Sequence, residues 1–268
     1  MSVCGPIPAA GAGSVAAPEL NVVLVVVDAL RPDHLGCYGY GRTTSPNLDA
    51  VARDGVVFQT AIAQSNWTLP ALASLMTSRY PSEHGAIRPP AASGWAKRLE
   101  RGEFQPDPEG RLSAGQLTLA EHLRRQGWQT AGIVSGGICR SAFGFGQGFS
   151  EFIDEGSNLE VLNRWILPWL RAHRQRRFFL YIHAGDVHAP YDAGPDFSRL
   201  WDPGYNGPMD GSREALRCIR DREVRATRRD IRHLAALYDA EIAYTDAHLG
   251  EIFVALKRQG LWDRTIVL

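Results

Sequence analysis

The chain has 268 residues, 44% of them hydrophobic and 22% charged, an ordinary make-up for a globular protein with one large domain or two small ones. Lys and Arg (29) balance Asp and Glu (29), so net charge gives no support for nucleic acid or an anionic membrane as a main partner. The four cysteines, Cys4, Cys37, Cys139 and Cys218, lie far apart without CxxC spacing, which argues for reduced thiols and against a disulfide frame or a zinc site.

Residues 1–20 are rich in Ala, Gly and Pro and lack the basic start and continuous apolar run of a secretory signal; they read as a disordered tail. Asn21 to Val27 is a β-branched run suited to a central strand buried on both faces, and it ends at Asp28. Open α/β sheets place their ligands at such strand ends. Pro46 to Gly55 has helical spacing, and Val56 to Ala63 reads as a strand. Asn66 to Gly85, NWTLPALASLMTSRYPSEHG, reads as a loop that breaks into a helix, with Thr68 as N-cap and Pro70 in the first turn. Residues 86–115 are a polar insertion. Leu117 to Gln126 predicts an amphipathic helix without a clean capping box, and Thr130 to Ser135 a buried strand. The glycine-rich stretch 136–148 has no GxGxxG in a strand–helix context and carries no nucleotide signal. Leu159 to Arg174 is helical, and Phe178 to His183 is another buried strand leading into Asp186 and His188. Residues 192–225 are a second polar excursion. Asp230 to Gln259 predicts a long helix with one possible break, and Arg264 to Leu268 begins a strand.

Strands and helices alternate, which predicts one α/β domain over 21–268 with a mostly parallel central sheet flanked by helices. No segment has the length and apolarity of a membrane span, so the default compartment is the cytoplasm, or the periplasm or exterior if the start site is misplaced.

Three features fall at strand ends: Asp28, Thr68, and the pair Asp186 and His188. A carboxylate can hold a divalent metal, and a hydroxyl beside that metal becomes a nucleophile. A histidine can contact an anionic group or move a proton. Each also has a duller reading. Asp28 and Thr68 can cap helices, Asp186 can cap a turn, and His188 can be a hydrogen-bonded loop residue.

The ordered set of stretches NVVLVVVDALRPDHLGCYGYGRTTSPNLDAVARDGVVFQTAIAQ, NWTLPALASLMTSRYPSEHG, LTLAEHLRRQGWQTAGIVS followed by FGFGQGF, FFLYIHAGDVHAPY and LYDAEIAYTDAHLGEIFVALKRQGLWDRTIVL resembles the sulfatase family of the alkaline-phosphatase-like superfamily. The resemblance covers most of 21–268 apart from the insertions at 86–115 and 192–225. It implies a hydrolase of sulfate esters or related phosphate esters. Asp28 and Thr68 would be metal ligands, Thr68 the nucleophile, His188 a catalytic and substrate contact, and Asp186 a substrate contact. It implies a divalent ion (Ca, Mn, Mg or Zn) and a small anionic ester as partner.

The departures from the family pattern matter. Thr68-Leu69-Pro70-Ala71-Leu72 stands where the family has Cys or Ser, any residue, Pro, Ser and Arg, so no formylglycine is expected. A threonine nucleophile is familiar in the phosphodiesterase and phosphotransferase branches, which is the alternative activity. Ala29 replaces the second Asp of the usual metal-binding pair. The sequence also stops at Leu268, before the Asp-His-Gly or Asp-Asn-His segment that completes the family's metal site. The expectation is an alkaline-phosphatase-like fold incomplete at its C-terminal end, and a further alternative is a catalytically inactive sulfatase-like fragment.

Overall fold

The computed structural model describes residues 20–88 and 94–268, so nearly all of the expected tail lies outside the described residues. Five strands, β1 (Asn21–Val27), β2 (Gln129–Val134), β3 (Glu151–Ile153), β4 (Phe178–Ala184) and β5 (Thr265–Val267), form one sheet in the order β3-β2-β4-β1-β5. Every pairing is parallel, with Val22 opposite Phe179 and Val27 opposite Ala184. A parallel sheet needs crossover connections and cover on both faces. The alternation of strand, helix and strand in the sequence supplies both.

The middle strand is β4, and all seven of its residues are buried. The run Asn21–Val27, read as central, lies one place off centre, and only Asn21 and Val23 are fully buried there. Its outer neighbour β5 pairs with just three of its residues, which leaves the rest partly uncovered. Side chains alternate along β4. Phe178, Leu180 and Ile182 face α6 (Leu159–His173) and α9 (Arg228–Arg258), meeting Leu162, Ile166, Leu249 and Ile252. Phe179 and Tyr181 face the opposite layer of α2 (Thr68–Thr77) and α5 (Leu119–Arg125), meeting Leu69, Leu72 and Ala120. Each fully buried aliphatic side chain contributes roughly 1.5–3 kcal/mol, so the two layers hold the sheet from both sides.

The long C-terminal helix α9 runs unbroken for 31 residues, so the one possible break does not occur. It also organises α1 (Pro46–Asp54). Asp246 of α9, buried, accepts from the backbone N–H groups of Asn47 (2.9 Å) and Leu48 (2.8 Å) at the start of α1. Those donors have no partner within their own helix, and a carboxylate there also suits the helix dipole. Gly250 makes the close approach possible, because a Cβ there would lie 2.7 Å from the Asn47 side chain.

Other expectations need correction. Val56 to Ala63 forms no strand, and Val56 and Ile62 are both 81% exposed. Strand propensity is realised only against a neighbouring strand or packed face, and this segment has neither among the described residues. Thr118 and Glu121 do form a capping box: the Thr118 hydroxyl accepts from Glu121 N–H (3.1 Å) and the Glu121 carboxylate from Thr118 N–H (2.9 Å). The polar stretches also contain short helices, α3 (Pro81–His84) just before the first insertion and α4 (Trp95–Glu100) within it, and α7 (Pro195–Ser198) and α8 (Arg213–Arg220) within the second. Cys37, Cys139 and Cys218 are free thiols, and Cys4 lies outside the described residues. No helix among the described residues is long and apolar enough to cross a membrane.

Candidate active site

A pocket of about 430 Å³ opens at the carboxyl ends of β1, β2 and β4. Asp28 enters it directly from β1, and its N–H donates to Ala184 O (2.8 Å) at the end of β4. The next residue, Ala29, has φ +59° and turns the chain away from the sheet. This left-handed conformation costs an alanine about 1–2 kcal/mol, and a clamp holds it. The Tyr238 hydroxyl of α9 donates to Ala29 O and accepts from Arg31 N–H, both at 2.8 Å.

Thr68 is the first residue of α2, and the extended Trp67 occupies the N-cap position without a side-chain bond. Thr68 therefore does not cap the helix. Its Oγ1 donates instead to Asp28 Oδ2 at 3.0 Å, joining residues forty positions apart. Leu69, Leu72, Ala73 and Met76 anchor α2 in the core behind it. The helix ends at Ser78, in the left-handed conformation (φ 56°), and His84 beyond it is buried with its Nε2 3.1 Å from Ser74 Oγ. Arg79 is exposed and stands outside the pocket lining.

The rest of the wall comes from Ser135 to Cys139, Ser157, His183, the His188–Pro190 segment and Arg213. His188 is exposed, and its Nδ1 lies 2.8 Å from Ala189 O. A carbonyl only accepts, so Nδ1 carries the proton and Nε2 is the ring atom left for chemistry. His183, within the strand FFLYIH, also reaches the pocket. It is buried against Cys139, with Sγ 3.3 Å from both ring nitrogens. Burial holds the His183 imidazole below its ordinary value and pushes the Cys139 thiol well above its own. The pair is therefore neutral thiol and neutral imidazole, and Cys139 is a poor nucleophile.

Of the residues singled out in the sequence, Asp28, Thr68 and His188 meet in the pocket, and Asp186 does not. Asp186 is buried, and its Oδ1 accepts from Leu159 N–H (2.9 Å) at the start of α6. Its reading as a substrate contact is corrected to that of a helix-capping group, because the nearest orphan donors belong to α6. His183, Cys139, Ser157 and Arg213 were not legible as site residues. For His183 the one available signal was a polar residue near the end of a buried strand.

The divalent ion implied by the resemblance fits this donor set poorly. Asp28 and Thr68 offer a carboxylate and a hydroxyl, and among the described residues no group of three or more His, Cys, Asp or Glu is placed to hold a metal. Hard divalent cations take on the order of six oxygen ligands. Ala29, where the family's second Asp would stand, offers none.

Behind the His188 segment, Glu241 of α9 accepts from Asp192 N–H. Burial, reinforced by the charges of Asp186 and Asp192, pushes the Glu241 carboxyl up from 4.5 to about 8. The folded chain thus keeps a proton that the unfolded chain loses, and stability falls as pH rises from about 4.5 to about 8. Glu241→Gln keeps an acceptor for Asp192 and removes the titration. It is expected to flatten this fall, read as urea midpoints on either side of the window; an unchanged pH dependence would assign the fall to other groups.

The family model described as Sulfatase matches residues 20–268. This chain belongs to the sulfatase family. Mouse iduronate 2-sulfatase is 42% identical over 119 residues, which is 44% of this chain and 21% of that relative. Two solved structures share the sulfatase-like fold at lower identity. The yidJ protein of Bacteroides fragilis superposes with a TM-score of 0.66 at 21% identity, covering 94% of this chain and 61% of that one. The phosphonate monoester hydrolase of Agrobacterium radiobacter does so with a TM-score of 0.60 at 20% identity, covering 92% and 60%. The sulfatase chain described here thus spans about three-fifths of these structures, and its match to the mouse relative about a fifth of that protein.

Proposed function

We propose that this chain carries the nucleophile and the binding wall of an ester-cleaving site for a small anionic sulfate ester or related phosphate ester, with Thr68 as nucleophile. The observation that carries the reading is the 3.0 Å hydrogen bond from Thr68 Oγ1 to Asp28 Oδ2, two residues that line the pocket. The bond orients the hydroxyl and supplies an acceptor for its proton. The Thr68 oxygen bonds to phosphorus or sulfur, the bond to the leaving oxygen breaks, and the hydroxyl proton passes to Asp28. His188, when both ring nitrogens carry a proton, gives the Nε2 proton to the leaving oxygen or donates it in a hydrogen bond to the anionic group. Water then releases the acid from Thr68. In this reading Asp28 and Thr68 are also the metal ligands, but two donors do not retain a hard cation on their own. The chemistry derivable from this chain is therefore that of the hydroxyl and its surroundings.

A second reading, a phosphodiesterase or phosphotransferase, is favoured by one residue. Thr68 stands at the position of a formylglycine-forming cysteine, and a threonine hydroxyl attacks phosphorus without that modification. The name of the Agrobacterium radiobacter neighbour is compatible with phosphorus chemistry on this fold.

The test is to incubate the protein with an aryl sulfate, an aryl phosphate and an aryl phosphodiester, each with and without Mn2+, Ca2+ or Zn2+. Turnover is followed, and the protein is digested and mapped by mass spectrometry. A phosphorylated or sulfated Thr68 supports the nucleophile, and the substrate that leaves it separates the two readings. Absence of both adduct and turnover under every condition would leave the inactive, sulfatase-like fragment.

A further inference from the structure

The excursion 192–225 delivers a cation into the pocket. Its path folds back onto the segment that follows His188: Tyr191 N–H donates to Gly211 O (3.0 Å), and Met209 is buried. Gly211 has φ +78°, and a Cβ there would lie 2.9 Å from Tyr191 O and 3.0 Å from Leu237 Cδ1, so this contact needs glycine. Ser212 then starts α8, donating its N–H to Asp210 (3.0 Å) and accepting from Ala215 N–H through its hydroxyl (3.2 Å). The next residue, Arg213, lines the same pocket as Asp28, Thr68 and His188.

Arg213 differs from the other arginines of its helix. Arg217 is engaged by Glu214, Asp221 and Glu223, and Arg220 by Asp221. Arg213 has no hydrogen bond or ion pair among the described residues, and it is the one Arg or Lys of the pocket lining. An exposed guanidinium without a carboxylate partner, at the wall of a pocket that also holds a hydroxyl and an imidazole, matches the fork geometry of a sulfate, phosphate or carboxylate oxyanion.

We propose that Arg213 is the specificity-determining residue of this pocket and binds an oxyanion of the ligand. That oxyanion is either the reacting sulfate or phosphate or a second anionic group on the remainder of the ester. The proposal rests on the pocket being the ligand site proposed above.

The experiment is a calorimetric titration of the wild-type protein with inorganic phosphate and with two aryl phosphates that differ by one carboxylate, repeated with Arg213→Gln and Arg213→Lys. Arg220→Gln controls for the loss of one positive charge from α8. Arg213→Gln is expected to weaken binding about 10-fold or more, Arg213→Lys less, and Arg220→Gln by less than about twofold. Weakening of inorganic phosphate assigns Arg213 to the reacting group, and weakening confined to the carboxylated ester assigns it to a second anion. Equal binding by wild type and Arg213→Gln overturns the proposal, as does a wild-type protein that binds none of the three. A failed Thr68 adduct with an intact Arg213 effect rejects only the nucleophile, and the reverse result rejects only this proposal.

Discussion

Thr68→Ala is expected to lower the ester-cleavage rate by on the order of 10³-fold or more, the scale on which enzymes lose activity when a nucleophile is deleted. Thr68→Ser keeps the hydroxyl and its bond to Asp28, and is expected to stay within about tenfold of wild type. The measurement is kcat/KM on aryl phosphate, phosphodiester and sulfate, with the thermal midpoint recorded for each variant. Thr68 does not cap α2, since Trp67 holds that position and makes no side-chain bond. Deleting the hydroxyl therefore removes one hydrogen bond to a carboxylate, about 1.5–3 kcal/mol at most, and leaves the helix intact. A rate unchanged in Thr68→Ala would place the nucleophile elsewhere. A rate lost together with the fold would be exposed by the melting curve.

The second large effect is on stability. Asp239 of α9 is fully buried and accepts from His34 Nδ1, Tyr40 Oη and Arg42 Nη1, each at 2.6 Å. These three donors lie in the loop between β1 and α1, so one carboxylate ties that loop to the long helix. The same contact pushes the Tyr40 phenol up to about 12, because burial and the adjacent Asp239 both disfavour its ionised form. Removing one partner of a buried pair costs about 3–5 kcal/mol. The Arg42 side chain is 36% exposed and regains some water, which favours the lower end. Asp239→Ala is expected to cost about 3 kcal/mol, a fall in melting temperature of roughly 6–12 °C for a domain of this size. Asp239→Asn keeps two acceptor lone pairs and is expected to lose less. A change under about 1 kcal/mol would mean that water replaces the carboxylate at its three donors.

The mutational logic of both sites depends on contacts across long sequence distances, and this marks the limit of what the chain's order reveals. The strands β2 and β4 were legible because continuous apolar runs suit a sheet covered on both faces. The helices α1, α6 and α9 were legible because their apolar residues recur with helical spacing. Asp28 and Thr68 were legible as candidates because each follows or begins an element whose end faces ligand in a parallel sheet. The family likeness ordered these pieces, and the match over residues 20–268 bears out the family.

The direction of each polar side chain was decided only by the fold. Asp186 and Asp28 both follow parallel strands of the sheet, yet one carboxylate faces α6 and the other Thr68. Asp246 lies buried in α9 because α1 docks on it with two orphan N–H donors. Val56 to Ala63 has strand-forming residues but, among the described residues, no strand beside it. Arg213 carries no local signal, since its place depends on Gly211 meeting Tyr191. The physical reason is the same in each case. Apolar periodicity is a local property that burial reads directly, whereas a hydrogen-bonding group is satisfied by whichever donor or acceptor the tertiary structure brings within about 3 Å, and the sequence does not order those partners.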